Sequence, residues 1–174
     1  MTSIIKVDTI QTAAGGTPTA ASLGIDLGNV GKIGQVISSK FSDNQSTTST
    51  SFTSTNYTLS LTPSSTSSKI LARFTGHFYI DGNNVGSNIG AQVKLFRTVG
   101  GTSTELWYDN GVPRIKNSSD SYLFGTHQIE YLDSPNTTSS VEYRIHIAVQ
   151  TSGMVFALPT GDGDSSATLM EVLA

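Results

Sequence analysis

The stretch YTLSLTPSSTSSKILARFTGHFYID, residues 57–81, decides the fold. In its second half, apolar residues stand at every second position except Gly76; they are Ile70, Ala72, Phe74, Phe78 and Ile80. The opposite positions are mostly polar, which is the pattern of a strand with one buried face. Before this strand, Leu59 and Leu61 alternate with polar residues until Pro63 and a run of Ser and Thr interrupt the pattern. The stretch predicts a long core strand preceded by a polar turn.

Similar alternation recurs along the chain from Ile33 onward. It is clearest over residues 141–149, where the apolar positions are Val141, Tyr143, Ile145, Ile147 and Val149. Polar turns separate the strands, at Gly100-Gly101 and at Asp133-Ser-Pro among others. We expect a short strand at 105–108, ended by a turn at Asp109-Asn-Gly, and an exposed loop over residues 114–121.

The pattern as a whole gives eight or nine strands and no helix. Strands with polar turns between them are typical of an all-β, antiparallel β-sandwich or barrel. Several long connections favour a jelly-roll-like sandwich over a simple meander. The abundance of Thr agrees with a pleated surface that is exposed on one side.

Residues 1–32 differ from the rest. Ile4, Ile5, Val7 and Ile10 are apolar among polar neighbours, and the Gly- and Pro-containing run that follows excludes a continuous helix. A segment this rich in Gly is not expected to form a core of its own. We predict an extended N-terminal attachment segment over 1–32, held by the body, by sister chains or by a larger assembly, and a β-sandwich head domain over 33–174.

The composition argues against several classes of partner. Charged residues make up 13% of the chain, the formal net charge is -3, and no cluster of Lys and Arg forms the basic stripe that nucleic-acid binding requires. No apolar run approaches the roughly 20 residues that span a bilayer, so membrane insertion is not expected. The absence of cysteine excludes disulfides and fits a reducing cytoplasm, or a particle assembled in one.

Two segments are too apolar for one face of a lone sandwich. Residues 154–158 have no polar face, and the last strand carries apolar groups on both faces. Strands buried on both sides need a second cover. Sister subunits around a symmetry axis would supply it, and a loop or the N-terminal segment would do so equally well. The subunit-interface candidates are Met154, Phe156, Leu158, Leu169, Met170 and Val172.

No motif predicts catalysis or a cofactor. Asp162-Gly-Asp164 could offer carboxylates to a divalent ion, but it lacks the other ligands of a calcium loop, and a hairpin turn is the better interpretation. His77, His127 and His146 fall within predicted strands without zinc-ligand spacing, so they are interpreted as structural. The chain has no Gly-x-Ser-x-Gly elbow, which argues against a hydrolase.

Three aromatic residues flank the loops between residues 100 and 122. Trp107, Tyr108 and Tyr122 could stack on sugar rings, and they are the candidate glycan contacts. Core or intersubunit packing is the favoured alternative.

Four segments carry a resemblance to a known family. They are LTPSSTSSKILARF at 61–74, QVKLFR at 92–97, YLDSPNTTSSVEYRIHI at 131–147 and SSATLMEVLA at 165–174. In their order and spacing, they resemble the β-sandwich head domains of bacteriophage fibre-like virion proteins. The opening IIKVDTIQTAAGGT at 4–17 is similar to the start of several phage fibre proteins, which suggests a shared attachment segment.

The resemblance implies a trimeric, jelly-roll-like head, a location in the virion and no enzymatic activity. The expected function is a short trimeric fibre or spike, docked on other virion proteins through the N-terminal segment and in contact with host surface glycans. The chain lacks the heptads, collagen-like repeats or β-helical repeats of a long fibre shaft. The alternatives are a capsid decoration or adaptor protein and a free lectin-like module.

Overall fold

The computed structural model describes residues 32–82, 89–115, 122–158 and 164–173. Within these ranges the chain forms ten β-strands and no helix. The strands are β1 Lys32–Phe41, β2 Gln45–Thr47, β3 Thr53–Leu61, β4 Lys69–Asp81, β5 Ile89–Val99, β6 Thr102–Ile115, β7 Tyr122–Asp133, β8 Val141–Val149, β9 Val155–Leu158 and β10 Ser165–Leu173. All of their pairings are antiparallel.

The strands form two sheets. The larger sheet has the order β1-β10-β4-β9-β2, with β7 on the other edge of β4, and the smaller has the order β3-β8-β5-β6. Strand β4 is the centre of the larger sheet. One edge pairs with β7 from Ile70 to Asp81, and the opposite edge is divided between β10 and β9.

The connectivity is that of a jelly roll. Without the short β2 and β9, the sheets are β1-β10-β4-β7 and β3-β8-β5-β6, so successive strands cross repeatedly from one sheet to the other. The predicted all-β, antiparallel, jelly-roll-like sandwich is therefore confirmed. The N-terminal segment that was expected to accompany it lies outside the described residues, apart from Lys32, where β1 begins.

The core lies between the sheets and contains the residues that the alternation selected. Every second residue of β4 from Ile70 to Ile80 is buried apart from Gly76, and so is every second residue of β8 from Val141 to Val149. These side chains belong to one buried apolar cluster. Full burial of a large apolar side chain contributes about 1.5–3 kcal/mol to the stability of the fold. The alternating apolar residues therefore largely explain why the two sheets pack face to face.

The structure has one or two strands more than predicted. Strand β2 consists of Gln45, Ser46 and Thr47, lies within a Ser/Thr-rich stretch, and pairs with β9. Three polar residues carry no alternating pattern. Only the position of β9 beside β4 makes them a strand.

The predicted end of β6 was wrong. The strand continues through Asp109-Asn-Gly to Ile115, and its pairing with β5 changes register in this region. The Asp109 Oδ1 atom accepts a hydrogen bond from the Gly111 N–H at 2.9 Å. The Asp109-Asn-Gly segment is therefore an irregularity within β6 and not a turn. Strand β5 continues alongside it and pairs with the residues of β6 that follow.

Two predicted turns are confirmed. Val99 pairs with Thr102, so Gly100 and Gly101 form a two-residue hairpin loop, with φ values of +56° and +82°. Such values are those of the tight hairpin turns that favour glycine. Strand β7 ends at Asp133, directly before Ser134 and Pro135, as expected.

Candidate functional site

An apolar row crosses the outer face of the larger sheet. Val36 pairs with Met170, Met170 with Leu71, and Leu71 with Leu132, so one residue from each of β1, β10, β4 and β7 contributes. Val36 and Leu132 are 55% and 49% exposed. We call these four residues the apolar row. Aliphatic side chains in register on a solvent-facing sheet form a patch suited to contact with another protein surface.

An aromatic cluster lies on the same outer face, near the other end of β4 and β7. Tyr79 of β4 pairs directly with Phe124 of β7, and their ring centroids are 5.0 Å apart. Tyr79 also stacks on Tyr122 at 5.9 Å, with an angle of 19° between the planes. Phe124 and Tyr122 are 58% and 53% exposed. Tyr79, Tyr122 and Phe124 are named the aromatic cluster below.

Polar residues separate the apolar row from the aromatic cluster. Arg73 pairs with Glu130 and donates a hydrogen bond to the Gln128 Oε1 atom at 3.1 Å. The outward pairs that follow along the strands are Thr75 with Gln128 and His77 with Thr126. Leu71 and Tyr79 are eight residues apart on one strand, which corresponds to about 27 Å. The outer face therefore carries two different surfaces.

The expected subunit-interface residues fall into two groups. Met154, Phe156, Leu158 and Leu169 are buried within the chain's own sandwich, so their apolar character needs no second subunit. Met170 and Val172 lie on the outer face of β10, half-buried, and pair with Val36 and Ile33. Contact between subunits stays a prediction, and the outward-facing members are those placed to make it.

The three predicted glycan contacts do not converge. Trp107 is half-buried against the core, with its ring 5.8 Å from His127. Tyr108 lies on the outer face of the smaller sheet, where Phe52 meets it edge-on and the Lys94 Nζ atom lies 5.0 Å from its ring centroid. Tyr122 alone belongs to the aromatic cluster.

Sequence reasoning missed most of this outer face. Leu71 and Tyr79 occupy the polar side of β4, and Phe124 and Leu132 occupy the outward side of β7. A large apolar residue on the polar side of an alternating strand is the signal that would have selected them. Which of these residues become neighbours on adjacent strands depends on the strand register, and the register cannot be read from the sequence.

An ion pair with a buried carboxylate joins the sheets at one end of the sandwich. The Arg97 Nη1 atom of β5 donates to both carboxylate oxygens of Asp133 at the end of β7, at 2.9 and 3.1 Å. The Tyr143 hydroxyl of β8 donates to Asp133 Oδ2 at 2.8 Å. Burial, and then the Asp133 carboxylate, raise the pKa of Tyr143. Asp133 is therefore a structural carboxylate.

A second buried carboxylate, Glu171 of β10, holds the turn before β4. It accepts hydrogen bonds from the Ser64 N–H and hydroxyl, both at 2.6 Å, and from Gln35 Nε2 at 2.8 Å. Burial alone would raise the pKa of Glu171, but the hydrogen bonds from Ser64 and Gln35 outweigh it and lower the pKa to about 2. The carboxylate thus stays ionised and fastens β1, β10 and the turn together.

The three histidines lie at separate places in the sandwich. His77 is exposed on β4, and His146 lies on the outer face of β8 with its ring 4.4 Å from that of Phe96. His127 points between the sheets and lines a cavity of about 30 Å³, beside Ile129 and Phe156. Its Nε2 atom is buried and has no hydrogen-bond partner among the described residues. Desolvation lowers the pKa of both His127 and His146.

Among the described residues, no group of three or more acidic, His or Cys side chains is placed to hold a metal ion. Asp164 forms an ion pair with Lys40, and Asp162 lies outside the described residues. The docking candidates Ile4, Ile5, Val7 and Ile10 also lie outside them. In the part of the chain that is described, no helix has the length and apolarity to cross a membrane.

The fold defines the class as a jelly-roll β-sandwich. No family model matches the sequence, and no curated protein matches it. Among solved structures, the chain is similar to the VP2 subviral particle of infectious bursal disease virus, with a TM-score of 0.39, 8% identity, and coverage of 80% of this chain and 38% of that chain. The T13 particle of the same virus gives a TM-score of 0.38 and 9% identity, with coverage of 80% of this chain and 36% of that chain.

The chain spans well under half the length of these two viral chains. At such TM-scores the similarity carries no argument about function, and the strand order stands on its own in defining the jelly roll.

Proposed function

We propose that this protein is a non-enzymatic structural protein of a bacteriophage virion, assembled in the host cytoplasm as a short trimeric fibre or spike. The observation that carries the proposal is the apolar row. The sandwich already fills its own core, yet one aliphatic residue from each of four strands faces outward in register. Exposed patches of this kind are typical of protein contacts, and identical subunits usually meet around a closed symmetry axis.

The motifs behind the phage resemblance also support this proposal. Arg97, Asp133 and Tyr143 come from two of those segments and meet at the buried Asp133 carboxylate. Ser64 and Glu171 come from two others and also meet. These contacts mean that residues from all four segments hold the fold together. They support a relationship to fibre-like head domains, and they say less about which receptor the protein would bind.

The trimer is tested by measuring the mass of the full chain in solution by light scattering. We expect three times the chain mass of 18.3 kDa. The double variant Val36→Ser, Leu132→Ser should shift the mass toward the monomer while the circular dichroism spectrum stays that of a β-protein. Tyr108→Ser, which alters an exposed aromatic residue on the other sheet, is the matched control. A stable monomer for the unmodified chain would overturn the trimer.

Docking through the N-terminal segment is tested separately. In full-length protein, Ile4, Ile5, Val7 and Ile10 are replaced together by Ser, and incorporation into phage particles is compared with that of the unmodified chain. We expect the variant to fold and to be absent from particles. Normal incorporation would remove the docking assignment. Incorporation on the capsid, away from the tail, would favour the decoration or adaptor alternative.

A further inference from the structure

The aromatic cluster differs in chemistry from the apolar row on the same face. Its rings are Tyr79, Tyr122 and Phe124, whereas the apolar row is aliphatic. Two of its members are more than half exposed, in a fold that buries most of its large apolar side chains. An aromatic ring combines a flat apolar surface with few rotatable bonds, so it can bind a partner at little cost in conformational entropy.

The rings are held in place by each other and by the strands that carry them. Tyr79 lies between the other two, at 5.9 Å from Tyr122 and 5.0 Å from Phe124. All three are anchored on paired strands, with Tyr79 directly opposite Phe124 and Asp81 directly opposite Tyr122. The cluster is therefore preorganised, and binding would require little rearrangement.

Hydrogen-bonding groups border the rings. The hydroxyls of Tyr79 and Tyr122 and the Asp81 carboxylate belong to the same outer surface, and His77 and Thr126 form the next outward pair. Burial, and then the charge of Asp81, raise the pKa of Tyr79, whose hydroxyl is hydrogen-bonded to the Asp81 carboxylate. The surface thus presents flat apolar rings beside hydroxyl and carboxylate groups.

We propose that the aromatic cluster is a carbohydrate-binding platform, on which Phe124 and Tyr122 stack against the C–H face of a neutral pyranose. The bordering His77 and Thr126 side chains would exchange hydrogen bonds with the sugar hydroxyls, beside the Asp81 carboxylate. Tyrosine and phenylalanine rings offer a flat apolar surface for the C–H face of a sugar, and a tyrosine adds a polar group at its edge. The carboxylate disfavours acidic sugars, because like charges repel at close range.

A second copy of the chain is the competing occupant, and the surface argues against it. The cluster is about 27 Å along β4 from the aliphatic residues, with the polar Arg73, Glu130 and Gln128 between them. A subunit contact that covered both would bury these polar groups, at a cost unless each were paired. The platform does not depend on a virion location, so its failure would leave the proposed function standing.

The test uses the full chain and a panel of defined neutral oligosaccharides, namely maltohexaose, cellohexaose, chitohexaose and mannohexaose, with oligogalacturonate as the acidic probe. Binding is measured by saturation-transfer NMR and by titration calorimetry. We expect at least one neutral member to bind. Phe124→Ala and Tyr122→Ala should each weaken binding about tenfold.

Phe96→Ala is the control, because it removes an aromatic ring from the outer face of the other sheet, where it packs against His146, and should leave affinity unchanged. Circular dichroism confirms that each variant folds. The proposal is overturned if no neutral sugar binds at millimolar concentration. It is also overturned if binding is unchanged in both variants, or if only the acidic probe binds. A change in solution mass in Phe124→Ala or Tyr122→Ala would instead assign the cluster to a second copy.

Discussion

Arg97 and Asp133 form a partly buried ion pair in which one guanidinium nitrogen donates to both carboxylate oxygens, at 2.9 and 3.1 Å. Arg97 comes from the smaller sheet and Asp133 from the larger, so the pair joins the two layers. Asp133 is 4% exposed and also accepts from the Tyr143 hydroxyl. Because a carboxylate in this position has three charge-assisted contacts and no free face, its role is to hold the sandwich closed.

Replacement of Asp133 by Asn should therefore destabilise the fold. The partly buried Arg97 guanidinium and the buried Tyr143 hydroxyl would lose their charged acceptor, which corresponds to about 1.5–3 kcal/mol for hydrogen bonds to charged groups. Urea unfolding, followed by tryptophan fluorescence, measures the change. The control is Glu105→Gln, which breaks the more exposed pair with Lys94 and should cost less than about 1 kcal/mol. Equal costs for the two variants would contradict the structural role of Asp133.

Stability should fall in acid through Glu171. Its pKa is about 2 in the folded protein against 4.5 for an ordinary glutamate, so the unfolded chain binds more protons between these values. Stability from this group is full above about pH 4.5 and is lost as the pH falls toward 2. Glu171→Gln should lower stability at neutral pH and flatten the dependence in this window. Thermal unfolding midpoints between about pH 2 and 6 report both effects, and an unchanged slope in the variant would contradict them.

His127 should make the protein less stable below neutral pH. Burial lowers its pKa, partly opposed by the charge of Asp109, so the unfolded chain takes up protons below about 6.5 that the folded chain resists. Stability is then present above that pH and declines as the pH falls through the folded pKa. His127→Leu should remove part of the decline, while His146 retains its share. The exposed His77→Asn is the control, and an identical decline in His127→Leu would refute the assignment.

Gly125 should not tolerate a side chain. A Cβ atom at this position would lie 2.5 Å from the ring of Phe78, within the core, and such overpacking costs about 1–3 kcal/mol. The same substitution at Gly111 is the matched control, since its Cβ would meet nothing closer than 3.9 Å. Denaturant midpoints of Gly125→Ala and Gly111→Ala should differ clearly. Similar midpoints would mean that Phe78 moves aside at no cost.

The alternation of apolar residues was enough to predict the core of β4 and β8, because burial on one face imposes a period of two on any strand. It was not enough to predict β2, a three-residue polar strand that exists through its pairing with β9. Nor did Asp109-Asn-Gly end β6, because the neighbouring strand continues past it. Local signals failed where a partner strand imposed the backbone path.

Residue types in the chain thus determined an all-β sandwich with polar turns and a glycine hairpin, since these follow from side-chain burial and from backbone conformations that glycine favours. Tertiary structure alone decided that Val36, Met170, Leu71 and Leu132 line up across four strands, and that Tyr122 joins Tyr79 and Phe124 while Trp107 turns inward. The physical reason is register. Which residues face each other across strands depends on pairings between distant segments, and these are set only when the whole sandwich closes.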